Sequence, residues 1–97
     1  MQLLARNYRT RRGEIDLIMQ DGDVIVFVEV RSRAHARFLH PAISVDARKR
    51  TRLILAGQHF LQKKGLQDAA PCRFDVVSLT GDCDDGKIEW IKWAFEA

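Results

Sequence analysis

The sequence predicts one α/β domain over residues 1–97, with a mixed sheet in the order βββαβ and a short closing element. Three observations carry this. Residues 14–20 alternate apolar and polar, the period of a half-buried strand. Residues 24–30 are almost wholly apolar and β-branched, as a strand covered on both faces must be. Residues 45–64 repeat their apolar positions at helical spacing, through Leu53, Ile54, Ala56, Gly57, Phe60 and Leu61.

The elements follow in order. Residues 2–8 read as the first strand. Residues 14–20 form the second, joined to the third by Asp21-Gly22, a short hairpin signal. A basic loop, 32–43, contains Pro41 and leads to the helix. Ser44 is placed to cap the helix, with Asp46 in its first turn. Lys63, Lys64 and Gly65 suit its end, two cations at the negative pole and a residue free to turn left-handed. Residues 73–79 read as a strand and 80–87 as an acidic turn. Residues 88–95 close the chain as a short strand or a helical turn, with Trp90, Trp93, Phe74 and Phe95 expected in the core.

Composition narrows the class. No apolar run approaches the roughly 20 residues of a membrane span, and the first residues lack a signal-peptide layout. Cys72 and Cys83 are too few for a disulfide scaffold and carry no metal-ligand spacing. The expectation is a cytoplasmic protein with no membrane. Residues 1–64 hold 13 Lys/Arg against 6 Asp/Glu, and residues 65–97 hold 3 against 7. A basic front and an acidic back suit a polyanionic partner on one face; a merely solvated surface is the other reading.

The hairpin places charges together. With Asp21-Gly22 as a two-residue turn, Asp16 faces Phe27 and Glu14 faces Glu29. One face then carries Ile15, Leu17, Met19, Val24, Val26, Val28 and Val30; the other carries Arg12, Glu14, Asp16, Glu29 and Arg31, with Ile18, Ile25 and Phe27 nearer the turn. Three converging carboxylates repel one another and need cations. Arg12 and Arg31 are one source, and a hard divalent ion held by Asp16 and Glu29 is the other. Spacing alone leaves both readings open.

The blocks Gly13-Glu14-Ile15-Asp16-Leu17-Ile18, Val26-Phe27-Val28-Glu29-Val30-Arg31-Ser32-Arg33 and Cys72-Arg73-Phe74-Asp75-Val76-Val77 resemble the three signature blocks of the YraN family. Asn7-Tyr8-Arg9 before them and Ile88-Glu89-Trp90-Ile91-Lys92 after them fit as well. That family is placed with the PD-(D/E)XK nucleases and is similar to Holliday-junction resolvases of archaea. The resemblance implies a restriction-endonuclease-like fold. It also implies a metal site of Asp16, Glu29 and the Val30 carbonyl for Mg²⁺ or Mn²⁺, with Arg31 in place of the superfamily lysine. Arg31 keeps a charge for phosphate contact but cannot serve as a base. Ile15 stands for the motif proline, and the superfamily's N-terminal helix is absent from residues 1–97.

Arg48, Lys49, Arg50 and Arg52 crowd the first turns of the helix, where cations oppose its dipole. Arg33, Arg37, Arg48, Lys49 and Arg52 are the expected nucleic-acid contacts, by neutralising phosphates; Arg6, Arg9, Arg11 and Arg12 extend the patch. Together these readings predict metal-dependent hydrolysis of DNA, with branched DNA included. Asp16, Glu29, Arg31 and Glu14 are the catalytic candidates. The alternatives are a non-catalytic nucleic-acid-binding module and a structural or protein-interaction domain. A homodimer is left open.

Overall fold

The computed structural model describes residues 1–33, 46–66, 71–80 and 87–95. They form five strands and one helix: β1 (Gln2–Arg9), β2 (Glu14–Asp21), β3 (Val24–Arg33), α1 (Ala47–Lys63), β4 (Cys72–Thr80) and β5 (Lys87–Phe95). The strands make one sheet in the order β1-β2-β3-β4-β5. β3 and β4 pair in parallel across the segment that carries α1, and every other pair is antiparallel. The predicted mixed α/β fold is therefore present, and the closing element is a strand.

The β2–β3 turn sits one residue further on than the sequence suggests. Asp21 pairs with Val24, so Gly22 and Asp23 form the loop. Gly22 has φ +61, the positive value that the first loop residue of a type II′ hairpin requires. The register moves by two: Ile18, not Asp16, faces Phe27, and Glu14 does not face Glu29. A shift of two preserves the face of each β3 side chain, so Phe27 and Glu29 still look one way and Val26 and Val28 the other.

Ile15 departs from the expected alternation. It is fully buried in the same cluster as Ile18, Ile25 and Phe27, on the helix side, while Leu17 and Met19 line the opposite face. The face therefore changes at Asp16. The neighbouring strand changes with it: Tyr8 pairs with Ile15 and Arg6 with Leu17, and Asn7 between them has φ 51. Asparagine is among the few residues that take this left-handed conformation at small cost.

α1 lies on the helix-side cluster through Leu53, Ala56, Phe60 and Leu61. Gly57 lets it come close: a Cβ there would lie 3.1 Å from the Phe27 ring. The cap is Asp46 rather than in the first turn, its Oδ1 accepting the Lys49 backbone N–H at 2.9 Å; Ser44 lies outside the described residues. Gly65, φ +69, ends the helix and the Leu66 N–H returns to the Leu61 carbonyl at 2.7 Å.

The opposite face has a small apolar centre of Val26, Val28 and Val77. Beside it Asp75, 0% exposed, accepts hydrogen bonds from Arg73 Nε (3.1 Å), Trp90 Nε1 (2.8 Å) and the Trp93 backbone N–H (3.0 Å). Those bonds sit where the β4–β5 register shifts between Phe74 and Val76, and Trp93 takes φ 55. The shift breaks the alternation along β5. Phe74 and Phe95 stack in the core as expected, but Trp90 and Trp93 stay 40% and 56% exposed.

Candidate metal and nucleic-acid site

β2 and β3 part company before either strand ends. Their last main-chain pair is Leu17 with Val28. Past it, the Asp16 side chain enters the gap, and its Oδ2 accepts the Val30 N–H at 2.8 Å. A carboxylate thus replaces the main-chain acceptor that a regular ladder would supply. In extended backbone the N–H and C=O of one residue point to the same side of the strand, so the Val30 carbonyl also faces β2 and Asp16.

Glu29 comes from the helix side of β3 and is nearly buried. Lys49, in the first turn of α1, reaches it with Nζ 2.9 Å from Oε1; the two side chains are 39% and 7% exposed. Burial is the largest influence on the Glu29 carboxyl and raises its pKa. The Lys49 hydrogen bond lowers it, the Asp16 charge raises it, and the charges of Lys49 and Arg31 lower it. Asp16 is therefore an electrostatic neighbour of Glu29, and Lys49 and Arg31 are the cations that act on Glu29.

The other candidates fall into three groups. Glu14 pairs with Arg9 across β1–β2 at 3.1 Å, both side chains largely exposed, so it stands at the rim rather than opposite Glu29. Arg48 and Arg52, with Lys49, line an open groove of about 870 Å³. The groove's other wall is the β1–β2 loop with Arg9, Arg11 and Arg12, and Glu14 at its edge. Arg50 turns away and lies over the Phe95 ring. Arg33 ends β3, and Arg37 lies outside the described residues.

The loop is built to hold that wall in place. The Thr10 hydroxyl receives the N–H groups of Arg12 and Gly13 at 3.1 Å each, and the Thr10 N–H binds the Gly13 carbonyl at 2.8 Å. Gly13 presses against α1: a Cβ there would run into the Arg52 carbonyl. Further along, a second opening of about 790 Å³ shares Arg9, Arg11 and Arg12 and adds Gln58, His59 and Gln62 from α1. His59 Nδ1 shares a 2.5 Å hydrogen bond with the Tyr8 hydroxyl, a contact that sequence gave no sign of.

The sequence pointed to Arg12, Arg31 or a divalent ion as the cations that neutralise the carboxylates, and not to Lys49. The ion pair joins residues on different elements, and no local spacing signals it. Among the described residues no three of His, Cys, Asp and Glu come together as a metal-binding group. The donor set is two carboxylates with a backbone carbonyl. Mg²⁺ commonly binds through one or two carboxylates, completed by water and phosphate oxygens. On those grounds the residues fit a hard divalent ion.

No helix of the described chain is long and apolar enough to cross a membrane. The family model for uncharacterised protein family UPF0102 matches residues 1–79. A UPF0102 protein of Pseudomonas putida strain F1 is 53% identical over 97 residues, covering 99% of this chain and 79% of its own. One from Methylobacillus flagellatus is 56% identical over 95 residues, covering 98% and 80%. A third, from Pseudomonas aeruginosa strain LESB58, is 50% identical over 98 residues, covering 97% and 77%.

Proposed function

The chain belongs to uncharacterised protein family UPF0102, the YraN family its motifs resemble, and we propose that it is a metal-dependent nuclease hydrolysing DNA phosphodiester bonds in the cytoplasm. The observation that carries this is the meeting of Asp16 and Glu29 at the β2–β3 splay, beside a groove walled by arginines. A nearly buried carboxylate with a second, half-buried one beside it is costly to keep for stability alone. Their neighbourhood with a cationic channel suits a phosphate chain, whose backbone binding is electrostatic.

Asp16, Glu29 and the Val30 carbonyl hold the ion, Mg²⁺ or Mn²⁺. Such an ion supplies a more acidic water and a Lewis acid for a phosphoryl oxygen. Arg31 steadies phosphate charge and stays protonated throughout. Glu14 holds Arg9 at the rim and so tunes the groove. Arg12, Arg48 and Arg52 position the strand through its phosphates, which fixes register without reading sequence.

A second reading, a DNA-binding module without turnover, is favoured by the arginine at position 31 and by a donor set of only two carboxylates. The deciding experiment is a cleavage assay with Mg²⁺ or Mn²⁺ on linear duplex, single-stranded and branched DNA, comparing the native chain with Asp16→Asn. The nuclease reading expects metal-dependent cleavage that the variant loses. Binding without cleavage on every substrate would replace it with the module.

A further inference from the structure

We propose that Lys49 is the resident counter-ion of the carboxylate pair, and that an entering divalent cation displaces its ammonium into the arginine groove, where it contacts a phosphate. This rests on the metal reading above and adds a second, metal-gated task for one side chain. Three observations support it. First, Lys49 Nζ already sits 2.9 Å from Glu29 Oε1 on a nearly buried carboxylate. An ammonium and a divalent ion cannot both occupy the same oxygen's surroundings without strong repulsion.

Second, Lys49 borders both places: it pairs with Glu29 and also lines the groove with Arg12, Arg48 and Arg52. Its four-carbon stem has the freedom to move between them. Third, only the side chain needs to move. The Lys49 backbone N–H is fixed by the Asp46 cap at 2.9 Å, so substitution of the side chain leaves the cap in place. The arrangement also explains a cation in the first turn of α1, where the helix dipole disfavours one: the metal-free carboxylates hold it there.

The test uses the full chain as native protein, Lys49→Gln and Lys49→Arg. Mn²⁺ affinity is measured by titration, and binding to a short DNA duplex is measured in EDTA and in Ca²⁺. Removing the competing ammonium should tighten Mn²⁺ binding in Lys49→Gln by about tenfold, while Lys49→Arg stays near native. The Gln variant's loss of DNA affinity should appear in Ca²⁺ and be small in EDTA, because only a metal-loaded site releases the native ammonium. Equal or weaker Mn²⁺ binding by Lys49→Gln, with the native chain binding the ion, marks a permanent ion pair and overturns the inference alone. An equal DNA deficit in both buffers overturns the displacement step. No Mn²⁺ binding by any of the three proteins removes the metal reading and this inference with it.

Discussion

Two buried carboxylates on adjacent central strands have opposite surroundings. Asp75, on β4, is sealed on the face away from α1 and receives three well-formed donors. Glu29, on β3, lies on the helix side with one ammonium partner and a second carboxylate close enough to raise its pKa. Burial by itself does not distinguish them. What differs is satisfaction: Asp75 is matched by hydrogen bonds from its own sheet, whereas Glu29 is held by a half-exposed lysine that also lines an open groove. The first pattern fastens β4 to β5; the second is the kind that the proposed metal site requires.

The comparison can be broken most directly at Asp75. Asp75→Ala leaves the buried Arg73 with only Asp21, 3.3 Å away and partly exposed, and strips the anchor from Trp90 and Trp93, so urea unfolding should show a loss of about 3 kcal/mol. A loss below about 1 kcal/mol, the scale of an exposed pair, would mean the network is not structural.

The next largest effect belongs to Asp16. Asp16→Asn keeps an acceptor for the Val30 N–H and removes a repulsive charge, so the metal-free protein should melt at or slightly above the native temperature. With Mg²⁺ at a hundred times its Kd the native chain should gain about 2.7 kcal/mol, and the variant should gain none. A variant that loses stability equally in EDTA and in Mg²⁺ would make Asp16 a structural partner like Asp75.

A smaller change is expected at the groove. The triple variant Arg12→Gln, Arg48→Gln, Arg52→Gln should weaken binding to all duplex sequences alike. It should also flatten the plot of log affinity against log salt by roughly 2–3 in slope. An unchanged slope in the folded variant would move the DNA surface elsewhere.

The smallest effect sharpens the electrostatic contrast. The Glu29 carboxyl titrates above its ordinary 4.5 in the folded chain. Between that value and the raised one the native state keeps a proton that the unfolded chain has lost, so metal-free stability should fall as pH rises through this window. Glu29→Gln should remove that slope in urea melts taken in EDTA. A native chain that instead gains stability over the same window would show that the Lys49 pair outweighs burial.

Much of the fold was legible in the sequence because period and punctuation are local. The alternation of 14–20, the apolar run of 24–30 and the stop at Gly65 each locate an element correctly. The failures have a common cause. Ile15 joins the helix side because the Asp16 carboxylate takes a main-chain partner on β3, and Trp90 and Trp93 turn out because Asp75 on β4 fixes a register shift in β5. The Glu29–Lys49 pair likewise spans two elements. In each case a side chain bonds across elements and overrides the local pattern. The candidate carboxylates themselves were legible from the motif blocks, but the ammonium between them and the groove was not.

The irregular outer strands have a bearing on how copies of the chain meet. β1 shifts register between Leu3 and Ala5 and carries Asn7 at φ 51; β5 shifts opposite Asp75 and carries Trp93 at φ 55. Among the described residues, each outer strand of the sheet is thus kinked where another chain would have to extend the ladder. Open edges are templates for aggregation, and kinks of this kind are a recurrent defence against it. The backbone bends that place Tyr8 and anchor Asp75 therefore also oppose runaway strand-to-strand growth.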